Sequence, residues 1–153
     1  HKMLYTTKFD DVPEVEEDVC IPFGRARISR RAPISPWSPN SMMTIKAEKA
    51  VRQLQKEGIS AELIDLRTIV PLDTETIIRS VKKTGKLLIV DEGHLSFGIT
   101  GEIAPGSCPT CSMIWTPHPA DGTADVPLPF SPALEFPLIP DEKKIAAKIR
   151  EMV

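Results

Sequence analysis

The stretch that decides the fold runs from residue 44 to residue 91 and reads TIKAEKAVRQLQKEGISAELIDL, then RTIV, then PLDTETIIRSVKKTGKLLIVD. Apolar residues recur at helical spacing from Ile45 to Leu54, while Lys, Glu and Arg occupy the opposite face, which predicts an amphipathic helix. Gly58 supplies the C-terminal stop. Residues 61–66 then predict a short strand, so the chain hands over from helix to strand.

The second half of this stretch repeats the alternation. Asp73 is a predicted N-cap with Glu75 in the first turn, and Gly85 ends the helix. The predicted buried stripe of that helix consists of Ile77, Ile78 and Val81, and its C-terminal lysines are Lys82, Lys83 and Lys86. Residues 87–90 form an unbroken apolar run, which is typical of a strand in the middle of a parallel sheet. The alternation predicts an α/β fold with a mainly parallel sheet.

The remaining pattern lies near the end of the chain. Five prolines between residues 125 and 140 predict an extended, non-helical connection. Residues 141–150 then predict a final amphipathic helix, with acidic side chains first and basic ones later.

Composition sets the broad class. The 153 residues carry 19 basic and 21 acidic side chains, and 41% are hydrophobic, as in soluble globular domains. This balance gives no basic footprint for nucleic acid, and no apolar run reaches the roughly 20 residues of a membrane span. The first residues lack the features of a signal peptide. Three cysteines favour a reducing compartment.

Three parts of the chain carry more specific patterns. They are residues 1–5 together with 19–26, residues 58–73 with the pattern DLRT-x-x-PLD, and residues 125–135 with the pattern DVP-x-PFSP-x-LE. In this order and spacing they resemble the beta subunits of thiamine-diphosphate-dependent 2-oxo acid dehydrogenases that act on pyruvate, acetoin or branched-chain substrates. The match covers most of the chain.

The resemblance implies a fold and a division of the chain. The C-terminal domain of such beta subunits is of the transketolase C-terminal type, a three-layer α/β/α sandwich with a mainly parallel sheet. Residues 1–28 would then be the remnant of an interdomain linker, and residues 29–153 the domain itself. The pyrimidine-binding half, which supplies the cofactor-activating carboxylate in this family, is not part of the sequence.

The resemblance also implies a function. The parent complex decarboxylates a 2-oxo acid oxidatively and transfers the acyl unit to a lipoyl group, with thiamine diphosphate and magnesium bound in the full heterotetramer. Neither group is expected in this chain alone, nor is a catalytic or metal-binding residue. The implied partners are the alpha subunit, a second beta subunit and the dihydrolipoyl acyltransferase core. The compartment would be the cytoplasm in a bacterium or the mitochondrial matrix in a eukaryote.

In this family the C-terminal domain docks the basic peripheral subunit-binding domain of the acyltransferase. Asp141, Glu142 and the terminal carboxylate at Val153 are therefore candidates for that contact. The two acids also suit the first turn of the final helix without any partner.

Two segments depart from the family. Residues 32–39 carry three prolines where the family has a core strand, and each proline removes a ladder donor, which predicts that no central strand forms there. A permissible coding of this run, read one base earlier, encodes G-T-D-I-T-M-V-A, the family strand. A shifted coding of residues 105–117 likewise encodes R-V-M-S-D-V-F-D-D-L-D-A-P, an amphipathic helix. We therefore predict that 32–39 and 105–120 are out-of-frame segments.

Other residues that could bind a ligand or a metal also have a purely structural interpretation. His94 follows the apolar strand at the end where α/β sheets place ligands, and Asp91 and Glu92 could tune it, but a surface histidine fits equally. Cys108 and Cys111 have metal or redox spacing, yet a zinc site needs four ligands and only His118 is near.

Arg67, after the first strand, could meet an anion or pair internally with Asp65 or Asp73. Alternative functions are a stand-alone α/β module for an anionic ligand and the equivalent domain of a transketolase-like synthase.

Overall fold

The computed structural model describes residues 20–28, 35–38, 41–93, 103, 111–114, 126–127 and 129–153, and of residues 35–38, 41 and 111–114 it describes the backbone only. No helix within these ranges is long and apolar enough to cross a membrane.

In the described residues, five strands form one sheet. They are β1 (Arg27–Ile28), β2 (Ser35–Ser38), β3 (Ile64–Asp65), β4 (Leu87–Val90) and β5 (Cys111–Ile114). Their spatial order is β1-β3-β2-β4-β5. Only the outer pair β1 and β3 is antiparallel, and the other three pairs are parallel. The predicted mainly parallel sheet is confirmed.

The helices in the described residues are α1 (Ser41–Lys56), α2 (Thr74–Thr84), α3 (Pro132–Glu135) and α4 (Glu142–Met152). Local chemistry sets several of their ends. The predicted N-cap Asp73 accepts a hydrogen bond from the backbone N–H of Thr76, and Asp141 caps α4 in the same way. Gly58 and Gly85 have φ of 81° and 69°, the left-handed conformation in which helices commonly end.

Two separate apolar cores cover the two faces of the sheet. One contains residues of α1 and α4 together with Leu88 and Val90, and the other contains residues of α2 together with Leu87 and Ile89. The side chains of β4 therefore alternate between the two faces, as the pleat of a strand requires. Ile103, which is helical, joins the α2 side. The predicted three-layer α/β/α sandwich is confirmed.

The order of the strands explains why the helices cover both faces. From β2 the chain passes through α1 to the neighbour β3, and from β3 it returns through α2 to β4 on the other side of β2. Because crossovers between parallel strands are right-handed, reversing direction places consecutive helices on opposite faces. Such a reversal is the switch point beside which α/β sheets bind ligands.

Three sequence predictions differ in detail. Helix α1 begins at Ser41, before the first residue of the predicted pattern, and the strand predicted over residues 61–66 is reduced to β3. The prolines of residues 125–140 were expected to exclude helix, but α3 forms there because Pro132 occupies its first turn, where no N–H is required.

The buried stripe of α2 is also different from the prediction. Ile77 and Val81 are buried, whereas Ile78 is 42% exposed. Thr76 and Ser80 are buried in its place. One residue turns a helix by about 100°, so Ile78 cannot share the face of Ile77 once the α2 core lies on the side of Thr76 and Ser80.

The prediction that prolines exclude a central strand is wrong for β2. Ser35–Ser38 lies between β3 and β4 and pairs with both, although it contains Pro36. A proline removes one N–H donor but keeps its carbonyl, and its fixed φ of about −65° is near the extended range, so a short strand tolerates it. Pro33 and Pro39 lie outside the described residues, and β5 is the described part of the second segment.

Candidate interaction surfaces

Residues 20–28 are fastened to the loop between β3 and α2. The backbone N–H of Gly24 donates to the Thr68 hydroxyl at 2.9 Å, and that of Ala26 donates to Asp73 Oδ2 at 2.9 Å. Gly24 has φ of 72°, and a Cβ there would lie 3.1 Å from Pro71 Cγ. A left-handed residue with so little space beside it explains a glycine at this position.

We call the two hydrogen bonds Gly24–Thr68 and Ala26–Asp73 the anchor, and Asp73 is its charged member. Its other oxygen, Oδ1, accepts from Thr76 N at 3.0 Å. Burial is the largest single influence on the Asp73 carboxyl and acts to raise its pKa, but the hydrogen bonds from Ala26 and Thr76 together outweigh it, so the pKa lies below its usual value. The carboxylate therefore joins β1 and α2 in its charged form.

Arg67 pairs internally, which is one of the two alternatives that the sequence left open. Its backbone φ is 59°, and its N–H donates to Asp65 Oδ1 at 3.2 Å. The guanidinium Nε lies 3.9 Å from Asp65 Oδ2. Asp65 therefore supports a left-handed turn at the carboxyl end of β3, and Asp73, the other candidate partner, serves the anchor instead.

Large apolar side chains next to the anchor are exposed. We call Ile21, Phe23, Ile69 and Val70 the linker patch; Phe23 is 82% and Val70 87% exposed. The Gly24–Thr68 hydrogen bond holds the two halves of this patch in one region of the surface. Exposed apolar residues that cluster in this way mark interaction sites, whereas single exposed apolar residues are normal on a protein surface.

A second group of exposed apolar side chains lies on and beside α3. We call Phe130, Leu134 and Phe136 the tail patch; Phe130 is 99% exposed and the other two are more than half exposed. Leaving the Phe130 side chain exposed to water is unfavourable for a monomer, because burying a phenylalanine side chain stabilises a protein by roughly 1.5–3 kcal/mol. This segment is therefore also suited to a partner.

The start of α4 brings two of the candidate docking acids to a lysine. Lys46 Nζ donates to the Pro140 carbonyl at 2.9 Å. Burial lowers the pKa of Lys46, while Glu92, Glu142 and Asp141 act in the opposite direction. Asp141 Oδ1 is engaged by Lys144 N at 2.8 Å as the helix cap, which confirms the local role predicted for it.

The end of α4 is held by different contacts. Both Arg150 Nε and Nη2 bond to Glu57, at 2.9 and 2.7 Å, and Lys86 Nζ donates to the Met152 carbonyl. The paired hydrogen bonds lower the pKa of Glu57 and raise that of Arg150. Val153 is 70% exposed.

The structure does not bring the third candidate docking residue to the other two. Asp141 and Val153 are the caps at the two ends of α4, and the 12 positions between them correspond to about 18 Å at 1.5 Å per residue. A partner that contacts all three candidates has to span the whole length of α4.

At the carboxyl end of β4, Asp91 is 7% exposed and its Oδ1 accepts from the Glu92 N–H at 2.9 Å. The histidine predicted to follow, His94, lies outside the described residues, and so do Cys108 and His118. Cys111 is described only as backbone of β5. Among the described residues, no three His, Cys, Asp or Glu side chains are grouped as metal ligands would be.

Sequence reasoning missed one buried polar cluster. Glu62 is 2% exposed, and it accepts from the Ser80 hydroxyl at 2.5 Å and from Lys83 Nζ at 2.7 Å. A charged residue inside the apolar run 61–66 was the available signal. Its partners lie 18 and 21 residues further along the chain, and nothing local in the sequence identifies them.

Comparison with known proteins places the chain in a family. The family model described as "Transketolase, C-terminal domain" matches residues 40–145. A "Split gene transketolase, inactive beta4 tetramer" has a similar structure, with a TM-score of 0.69 over 92% of this chain and 45% of that one, at 24% sequence identity. At this identity the likeness shows the fold alone.

Curated relatives match over almost the whole chain. The pyruvate dehydrogenase E1 component subunit beta of Rickettsia felis is 39% identical over 99% of this chain and 46% of its own length. The acetoin:2,6-dichlorophenolindophenol oxidoreductase subunit beta of Cupriavidus necator is 36% identical over 99% and 44%. The mitochondrial pyruvate dehydrogenase subunit beta of Homo sapiens is 34% identical over 99% and 43%.

The chain thus spans slightly less than half the length of the curated relatives that it matches. Its three-layer sandwich, its parallel sheet and the match over residues 40–145 agree with one another. The chain belongs to the transketolase C-terminal domain family, in the form found in beta subunits of pyruvate and acetoin dehydrogenases.

Proposed function

We propose that this chain is an assembly domain of a thiamine-diphosphate-dependent 2-oxo acid dehydrogenase. Its role is to join the alpha subunit and a second beta subunit and to dock the dihydrolipoyl acyltransferase core, while the chemistry belongs to the complete heterotetramer. The parent reaction is oxidative decarboxylation of a 2-oxo acid with acyl transfer to lipoyl. The relatives are pyruvate and acetoin enzymes, which favours the dehydrogenase over a transketolase-like synthase.

One observation carries the assembly role. Both patches fall in segments that resemble the dehydrogenase family: Val70 belongs to the DLRT-x-x-PLD block and Phe130 to the PFSP-x-LE tail, and both are almost fully exposed. Apolar and aromatic side chains of this kind form the buried centres of subunit interfaces. Val70 and Phe130 are therefore not used for the core of this domain.

In this proposal thiamine diphosphate and magnesium are bound by the other parts of the heterotetramer. Within the part of the chain that the structure describes, no three His, Cys, Asp or Glu side chains are grouped as metal ligands would be. We therefore derive no catalytic step for this chain. A thermal-shift measurement with thiamine diphosphate and magnesium should show no change in melting temperature, and a saturable stabilisation by both together would contradict the proposal.

Size-exclusion chromatography with light scattering tests the assembly role. The chain is mixed with the alpha subunit and the pyrimidine-binding half of a beta subunit from the same source, and a complex larger than any single component is expected. Val70→Asp and Phe130→Asp should each prevent it, because an aspartate would be buried without a partner.

Ile78→Asp is the matched control, since Ile78 is also an exposed aliphatic residue but lies outside both patches. It should leave the complex intact. Assembly that survives both patch variants, or that fails equally in the Ile78 variant, would overturn the role given to the patches.

The acyltransferase contact is proposed for the acids at the start of α4 and for the Val153 carboxylate. Glu142→Lys is the sharper test, because Asp141 also caps the helix and its replacement would disturb folding. Binding to the basic peripheral subunit-binding domain, measured by calorimetry, should weaken. The control is Glu75→Lys, which reverses a first-turn glutamate of α2. Equal affinity for the Glu142 variant and the wild type would exclude this contact.

We also propose that residues 1–28 are the remnant of an interdomain linker, whose last two residues join the sheet as β1, and that residues 32–39 and 105–120 come from a shifted reading frame. Strand β2 is compatible with the shifted reading frame, because the family sequence encoded by the shifted frame of residues 32–39 is also a strand. The nucleotide sequence decides it: clean in-frame codons, or peptide masses that match residues 33–39 as written, would refute the shift.

For the compartment we propose the cytoplasm in a bacterium or the matrix in a eukaryote, since relatives include bacterial proteins and proteins named mitochondrial.

A further inference from the structure

A cavity of about 380 Å³ lies between the second half of α2 and strand β1. Its lining residues are Ile28, Glu62, Arg79, Ser80 and Lys83. Its volume falls within the range of small-molecule sites, roughly 300–1,000 Å³. Asp73 is not among its lining residues, and neither exposed apolar patch contributes to it.

An ion pair between buried Glu62 and half-exposed Lys83 lines this cavity. The Glu62 carboxylate is satisfied by the Ser80 hydroxyl through Oε1 and by the Lys83 ammonium through Oε2. The Glu62 side chain is 3% exposed, whereas that of Lys83 is 52% exposed. The negative charge is therefore shielded inside, while the positive charge reaches the opening. Such a carboxylate holds Lys83 in a fixed position, because a buried charge is stable only with its partner.

Lys83 and Arg79 have more N–H donors at the cavity than the described residues accept. Lys83 has three N–H donors, of which one goes to Glu62 among the described residues. Arg79 has five N–H donors, and among the described residues it donates one hydrogen bond, of 3.3 Å, to the Thr76 hydroxyl. Among the described residues, the five lining side chains carry two positive charges and one negative charge. These residues consequently offer a net positive charge and hydrogen-bond donors.

We propose that this cavity binds a small organic anion, whose carboxylate or phosphate group is held by Arg79 and Lys83 while its aliphatic part lies against Ile28. Arginine suits the planar carboxylate or phosphate because its donors form a rigid fork. The lysine, positioned by Glu62, supplies the second cation. Ile28 is partly buried and packs against the α2 core, so it supplies an apolar wall.

Isothermal titration calorimetry of the 153-residue chain against inorganic phosphate and against butanoate tests this, in chloride buffer. Saturable binding of at least one of them is expected. In a parallel NMR titration, the amide shifts should concentrate at Ile28, Ser80 and Lys83. Binding of phosphate alone would identify a phosphate compound as the ligand class, and binding of butanoate alone a carboxylic acid.

The key variant is Arg79→Ala, which should weaken binding about tenfold, the usual effect of losing a hydrogen bond to a charged group. Arg79→Lys should recover part of the loss, because it restores the charge without the fork. The matched control is Lys82→Ala, which removes a cation of the same helix from a neighbouring groove that Arg79 also lines but Lys83 does not. It should bind as the wild type does.

Absence of saturable binding to either probe would overturn the proposal, and so would equal losses in the Arg79 and Lys82 variants, which indicate non-specific attraction to a basic helix. Arg79 is exposed, so the folded state should tolerate its replacement, and far-ultraviolet circular dichroism checks this. The result is independent of the assembly experiment, because Arg79 and Lys83 belong to neither patch.

Discussion

Strands β2 and β4 are neighbours in the sheet, yet they reach the same conformation from opposite kinds of sequence. Strand β4 reads LLIV, and all four side chains are fully buried. Strand β2 reads SPWS and contains a residue that cannot donate to a ladder. They pair from Ser35 opposite Leu87 to Trp37 opposite Ile89. The comparison teaches that β4 forms a strand by its composition, whereas β2 forms one because of its neighbours.

The position of β2 explains why it is held. It is paired on both sides, with β3 and with β4, and α1 begins three residues after it ends. A strand flanked by two others fills the gap that would otherwise leave both neighbours with unpaired backbone groups, and such groups are costly when buried. Tertiary context can thus override a poor local sequence.

The largest expected effect is on β4. Leu88→Ala removes a fully buried side chain from the core under α1 and α4, so the free energy of unfolding should fall by about 2–5 kcal/mol. Urea denaturation measures it. Leu134→Ala is the matched control, since that leucine is 61% exposed, and it should change stability by less than about 0.5 kcal/mol. A small loss at Leu88 would mean that β4 does not dominate the sheet.

Changing β2 should act in the opposite direction. Replacing residues 32–39 with Gly-Thr-Asp-Ile-Thr-Met-Val-Ala should raise the free energy of unfolding by about 2 kcal/mol or more, because it restores ladder donors and adds apolar side chains. Thermal and urea unfolding would report it. A control block that keeps Pro36 should gain less. No gain from the full block would show that β2 is already as stable as its position allows.

Asp73 tests the support that β1 receives from outside the sheet. Asp73→Ala removes both the α2 cap and the acceptor for Ala26, and should cost about 1–2 kcal/mol. The lowered pKa adds a pH dependence. The unfolded chain binds more protons than the folded one as the pH falls below about 4, so this part of the stability is present at neutral pH and is lost in acid.

Asp73→Asn removes the charge together with one of the two acceptors, because an amide has a single oxygen and its NH2 group cannot accept from Ala26 N or Thr76 N. Its free energy of unfolding should fall less steeply between pH 5 and pH 3 than that of the wild type, a range chosen around the usual aspartate pKa of about 3.9. Identical acid profiles for the two proteins would contradict the role of the charged carboxylate.

The smallest effect is expected at a single residue of β2. Pro36→Val restores one backbone donor and a β-branched side chain, and should raise the free energy of unfolding by about 0.5–1 kcal/mol. A decrease would show that the restricted φ of proline contributes more to the strand than the missing donor costs.

Much of the fold could be predicted from short-range patterns. The helical spacing from Ile45 to Leu54, the cap at Asp73 and the left-handed Gly85 each depend on residues a few positions apart, and the structure has all of them. The apolar run of β4 was equally clear. The family resemblance then supplied the three-layer arrangement, which the strand order and the two cores confirm.

The candidate surfaces were less predictable. The acids at the start of α4 were identified, but their relation to Lys46 was not, since that lysine lies 94 residues before the Pro140 carbonyl that it contacts. The exposure of Val70 and Phe130 was also hidden, because an apolar residue in a loop has no periodicity to indicate which side it faces.

By itself, the sequence determined the order of helices and strands in residues 44–91 and the helix ends at Gly58, Asp73 and Gly85, because caps, glycines and hydrophobic periods act locally. Only the tertiary structure decided that β2 is a central strand, that Glu62 is buried with Ser80 and Lys83, and that Ile78 faces outward. Each of these depends on which distant segment packs alongside. That choice is made by burying the most apolar surface over the whole chain, and no window of a few residues contains the information.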